Sequence, residues 1–80
     1  MDNIGQKIKK IRELRNFSRH YVASQLAISM NTYGKIERDE MDLTIKRLSQ
    51  IAKILNVRLT TIIDFDEEQL FKGKGPGSGF

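Results

Sequence analysis

The chain has no cysteine, one proline and one histidine among its 80 residues. Without cysteine there is no disulfide to staple a small fold and no thiolate to hold a metal. A modest core must therefore suffice, since a chain of this size buries only about 60% of the surface its unfolded form exposes. The length fits one domain rather than two. Long apolar runs are also missing: none approaches the roughly 20 residues of a membrane span. The opening MDNIGQKIKK has nothing like the apolar stretch of a secretory signal. The expectation is a soluble, cytoplasmic protein with no membrane association. The lone histidine, His20, has no nucleophile, partner base or metal set at a recognisable spacing. That predicts a protein that is not an enzyme, with no catalytic residues, no metal and no cofactor.

What the chain does have is positive charge, unevenly spread. The formal net charge is +4. Residues 64–80 set Lys72 and Lys74 against Asp64, Asp66, Glu67 and Glu68, a net of −2, which leaves +6 on residues 1–63. A basic body suits a polyanionic partner, because lysine and arginine gain affinity by releasing counterions from phosphate. The four carboxylates look superficially like a metal cluster. They lack the central glycine and the twelfth-position glutamate of a calcium loop, and read better as a solvated acidic segment.

Hydrophobic spacing organises the rest into five short helices. Ile4, Ile8, Ile11 and Leu14 form an amphipathic stripe, with Lys7, Lys9, Lys10 and Arg12 on other faces. Asn16, tolerant of left-handed backbone, stands where that helix should stop. Ser18 is a good N-cap for a second helix, about residues 19–26, that points Val22, Ala23 and Leu26 inward. The turn Ala27-Ile28 leads to a second N-cap, Ser29, and a third helix over about 30–38 with Tyr33 and Ile36 on one face. Thr44 caps a fourth helix carrying Ile45, Leu48, Ile51, Ala52 and Leu55, and Asn56 ends it. Leu59, Ile62 and Ile63 make a short fifth helix. The predicted domain covers residues 1–71. Residues 72–80, KGKGPGSGF, are too rich in glycine to order themselves and are set apart as a tail, native or added.

Residues 19–38 are the informative unit: a short helix, a tight turn and a second short helix. Two helices crossing steeply through so short a turn need a small residue at their closest contact, which Ala23 supplies. The outward face of the later helix is left with Asn31, Thr32, Gly34, Lys35 and Arg38, all polar or small.

Four strings then carry a resemblance: I-G-x-x-I-x-x-I-R from Ile4, F-S at Phe17, I-S-x-x-T-Y-x-K-I-E-R from Ile28, and L-x-x-I-A-K-x-L-N-V from Leu48. In this order and with these gaps the chain, from Ile4 to Ile63, resembles the phage repressor and Cro type of helix-turn-helix domain, the XRE-like family. The resemblance implies an all-α, compact five-helix repressor-like DNA-binding domain, with the helix-turn-helix at helices 2 and 3. It implies a transcriptional regulator, most simply a repressor, binding double-stranded DNA as a homodimer on a palindromic operator, with half-sites about 34 Å apart. It assigns base contacts to Asn31 and Lys35, and beside them Met30 and Gly34 are candidate base contacts from their own chemistry, a thymine methyl for the one and close backbone approach for the other. Asparagine binds adenine through two hydrogen bonds, lysine meets guanine O6 and N7, and methionine packs on a thymine methyl. It assigns phosphate contacts to Arg19, Ser29, Thr32, Tyr33 and Arg38, the first two at helix starts where backbone N–H groups welcome anions. Arg12 and Glu37 match a structural bridge between the first and third helices.

The chain departs from the family pattern at five positions. Arg19 stands where glutamine is common, Ala27 and Asp39 where glycine is common, and Met30 and Gly34 are unusual on a reading surface. Met30, Gly34 and Ala27 keep a second class open, a protein-interaction module, and the acidic, aromatic tail allows an antitoxin-type regulator that binds DNA and also engages a protein partner. The apolar residues Leu59, Ile62, Ile63, Phe65, Leu70 and Phe71 suggest a dimer contact.

Overall fold

The computed structural model describes residues 3–65. Within them lie α1 (Ile4–Leu14), α2 (Arg19–Gln25), α3 (Met30–Glu37), α4 (Ile45–Leu55) and α5 (Leu59–Asp64). The expected all-helical architecture is found, and among the described residues there is no strand.

Each helix starts and stops for a local reason. Ser18, Ser29 and Thr44 accept the backbone N–H of Tyr21, Thr32 and Arg47, each at 3.0 Å, satisfying donors that the first helical turn leaves orphaned. At the other ends one device recurs. Asn16, Ala27, Asp39 and Asn56 all take a positive φ near 60°. In each case the next residue's N–H reaches back five positions to a helix carbonyl: Phe17 to Arg12, Ile28 to Ala23, Glu40 to Lys35 and Val57 to Ala52, at 2.9–3.1 Å. This pattern closes the last carbonyls of a helix and turns the chain sharply away. It makes the connections short and steep.

The helices bury one continuous core of Ile8, Ile11, Val22, Ala23, Leu26, Tyr33, Ile36, Leu48, Ile51, Ala52, Leu55 and Ile62. α1 packs on α3 and α5, α2 on α3 and α4, and α4 on α5. Two expectations for the core are corrected. Leu14 is 63% exposed, because at 3.6 residues per turn it falls about 120° round α1 from Ile8. The buried face of that helix instead takes in Gly5 and Arg12. Ile45, at the first position of α4 and the margin of its stripe, is 60% exposed.

Of the proposed dimer residues, Ile62 is a fully buried core residue, and Leu59, Ile63 and Phe65 pack against the core. Leu70 and Phe71, the acidic residues Asp66, Glu67 and Glu68, and the tail 72–80 lie outside the described residues. Among the described residues no helix is long and apolar enough to cross a membrane.

Candidate nucleic-acid interface

The α2–turn–α3 unit is held together at a small contact. Ala23 is 2% exposed where the two helices cross, and its carbonyl accepts the Ile28 N–H across the turn at 3.1 Å. A longer side chain there would drive the helices apart. The sharp reversal falls on Ala27, whose φ of 58° is a left-handed value that glycine adopts without strain.

α3 is anchored to α1 through charge. Arg12 Nε donates to Glu37 Oε2 at 2.7 Å and Nη2 to Oε1 at 3.3 Å, while Nη1 donates to the Phe17 carbonyl at 2.8 Å. The Tyr33 hydroxyl donates to the same Glu37 Oε2. Both ionic side chains are less than one-tenth exposed. Burial pulls the Arg12 pKa down, but the Glu37 hydrogen bond and charge outweigh it and leave it raised. Burial first, then the Glu37 hydrogen bond and charge, push the Tyr33 hydroxyl far above its ordinary value, so it stays a neutral donor. Removing one partner of a buried pair of this kind costs about 3–5 kcal/mol, because the other charge is stranded. The network fixes the rotation of α3 about its own axis.

α1 and α3 also meet backbone to backbone. Gly5 lies so close to the end of α3 that a Cβ there would overlap the Ile36 carbonyl oxygen and come within 2.8 Å of the Glu37 oxygen. The Gly5 N–H donates to Asp39 Oδ1 at 2.7 Å, so the aspartate that ends α3 also caps the start of α1. Sequence reasoning missed both. The available signal was a glycine inside an apolar helical stripe, which marks close approach of another backbone.

With α3 so fixed, its outward side is defined. Asn31, Lys35, Arg38 and Met30 (44% exposed) lie on it, the first two one turn apart. Ser29 and Arg19 are exposed at the starts of α3 and α2, and Thr32 is half-buried beside Ser29. Ser29 Oγ donates to Thr32 Oγ1 at 3.0 Å, which leaves the threonine's own hydroxyl hydrogen to point elsewhere.

Two expected contacts are corrected. Tyr33 is 0% exposed, and its hydroxyl is committed to Glu37; it faces the core side of α3, where no phosphate can reach it. Gly34 is buried, because the Arg38 side chain runs back across it: a Cβ at residue 34 would sit 2.8 Å from Arg38 Nη1. Its backbone is not open to a base. Arg38 is itself paired, with Nε donating to Glu40 Oε2 at 3.0 Å and Nη2 to Oε1 at 3.3 Å. The Glu40 hydrogen bond raises the guanidinium pKa, and the same bond lowers that of Glu40. Among the described residues no group of three or more His, Cys, Asp or Glu could hold a metal ion.

The arrangement matches known proteins. A family model for the helix-turn-helix covers residues 8–62. An uncharacterized HTH-type transcriptional regulator from Methanocaldococcus jannaschii is 29% identical over 63 residues, covering 79% of this chain and 96% of the relative. Another, from Archaeoglobus fulgidus, is 26% identical over 66 residues, covering 82% and 93%. Among solved structures, SinR, described as the master regulator for biofilm formation and crystallised with DNA, superposes with a TM-score of 0.68 at 27% identity. That match covers 76% of this chain and 98% of the chain in that structure. A SinR–SinI protein complex gives 0.67 at 26% identity, covering 85% and 72%.

Proposed function

The chain belongs to the helix-turn-helix family, and from that premise we propose that it is a transcriptional regulator that binds double-stranded DNA by placing α3 in the major groove. One observation carries the reading. Asn31 and Lys35 stand one turn apart on the solvent side of a helix whose rotation is set by the buried Arg12–Glu37–Tyr33 network. A surface with no task has no need of so firm a mount.

In this reading Asn31 and Lys35 contact base edges, each pairing contributing about 1–3 kcal/mol of discrimination. Met30 packs on a thymine methyl beside them. Arg19, Ser29 and the Thr32 hydroxyl lie along the phosphates and set the register. The protein works as a repressor, as a homodimer on an inverted repeat, in the cytoplasm where such DNA lies. It performs no catalysis. A protein partner alongside DNA is a second reading, supported by the structure in which the similar SinR is seen with SinI; co-purification from the native host tests it.

The experiment that tests the main reading is selection of bound duplexes from a random pool, repeated with Asn31→Ala and Lys35→Ala. The expected result is an inverted repeat for the parent protein and lost preference at separate base pairs for the two variants, with melting temperatures unchanged. Binding that is salt-sensitive yet selects no motif would reduce the protein to phosphate attraction and overturn the proposal.

A further inference from the structure

The outward face of α3 carries a device that its sequence does not announce. At Gly34 the helix has no side chain, and the Arg38 guanidinium fills the notch, with Nη1 2.8 Å and Cζ 3.7 Å from the place a Cβ would occupy. Glu40 grips one edge of that guanidinium through Nε and Nη2. The grip has a fixed base. Asp39 turns the chain at φ 60°, and the Glu40 N–H closes onto the Lys35 carbonyl at 2.9 Å, so the residue carrying the carboxylate is tied to the last turn of α3.

A guanidinium has five N–H donors in a rigid fork. With Nε–H and one Nη2–H given to Glu40, the Nη1–Nη2 edge keeps donors that no described residue takes. This is the edge that forms two parallel hydrogen bonds to guanine O6 and N7. Charge argues the same way. The Arg38–Glu40 pair is formally neutral, and a carboxylate beside a phosphate repels it, so the pair is poorly suited to counterion release. A neutral, oriented fork serves direction rather than attraction.

We propose that Arg38, held over Gly34 by Glu40, reads a guanine of the operator through its Nη1–Nη2 edge, with Glu40 as the positioning residue. This moves Arg38 from the phosphate role that the family resemblance implied to a base-reading one. It rests on the reading of α3 as the groove-entering helix.

The test uses the full chain and the duplex it selects, with each base pair of one half-site replaced in turn. Affinities are compared for the parent, Arg38→Ala, Glu40→Gln and Gly34→Ala. The parent should discriminate at one guanine near the C-terminal end of α3 by about 5- to 150-fold. Arg38→Ala should abolish that discrimination and leave the positions read by Asn31 and Lys35 intact. Glu40→Gln should weaken it at the same base pair. Gly34→Ala should do likewise by displacing the guanidinium, and since alanine favours helix over glycine, loss of fold would not explain the effect. Equal weakening of all duplexes by Arg38→Ala, with the salt slope reduced by about one, would make Arg38 a phosphate contact and overturn the proposal. No change on removing Arg38 would overturn it as well. A parent protein that selects no motif overturns this inference together with the proposed function. Specificity that survives at the Asn31 and Lys35 positions alone overturns only the inference.

Discussion

Replacing Ala27 by glycine should stabilise the protein, and the structure supports a number. Ala27 is exposed, so its methyl group contributes little packing. Its φ of 58° puts that methyl against the backbone, a left-handed conformation that costs an L-residue about 1–2 kcal/mol. Glycine removes the strain but enlarges the freedom of the unfolded chain, returning about 0.4–1 kcal/mol. The difference favours Ala27→Gly by about 0.8 kcal/mol. For a domain of 60–100 residues each kcal/mol moves the melting temperature by about 4–8 °C, so a rise of about 3–6 °C is expected. The assay is thermal melting alongside urea titration, with the urea slope unchanged to show that the same surface is exposed on unfolding. The other three helix-ending turns serve as controls, since Asn16, Asp39 and Asn56 are residue types that tolerate this region. Asn56→Ala should therefore lower stability while Ala27→Gly raises it. If Ala27→Gly left the midpoint unchanged or lowered it, the argument from backbone strain would be wrong.

Two further outcomes follow from the α1–α3 contact. Gly5→Ala forces a methyl into the Ile36 carbonyl, and since a backbone cannot yield as a flexible side chain does, about 1–3 kcal/mol of destabilisation is expected in urea titrations. An unchanged midpoint would show that the two helices can separate freely. Tyr33 sets an alkaline limit. Its raised pKa means folding favours the neutral phenol, so this contribution is fully present below about pH 10, the unfolded value, and is lost as pH rises beyond it by about 1.4 kcal/mol per unit. Tyr33→Phe should be the less stable protein at pH 7, and its deficit should shrink above pH 10. Parallel stability curves for the two proteins would contradict this.

What the sequence determined by itself is local. Ser18, Ser29 and Thr44 cap their own helices within three residues. Asn16 and Asn56 end theirs within one turn, so the helix bounds were legible to within a residue. The three- and four-residue spacings located the core, apart from Leu14 and Ile45. The matched strings located α3 and the Arg12–Glu37 bridge. The tertiary structure decided what depends on how far apart two helices lie and how each is rotated. The buried arc of α1 is centred near Ile8 because Gly5 lets α3 approach there, and this turns Leu14 outward. The same docking sends the Tyr33 hydroxyl to Glu37 rather than to a phosphate. It lets Asp39, noted beforehand only as standing where glycine is common, cap a helix 34 positions away. Arg38 and Glu40 are only two residues apart, yet their pairing over Gly34 also escaped the sequence. A side chain's partner is chosen by the space available to it, and that space exists only once the helix has ended and the chain has turned.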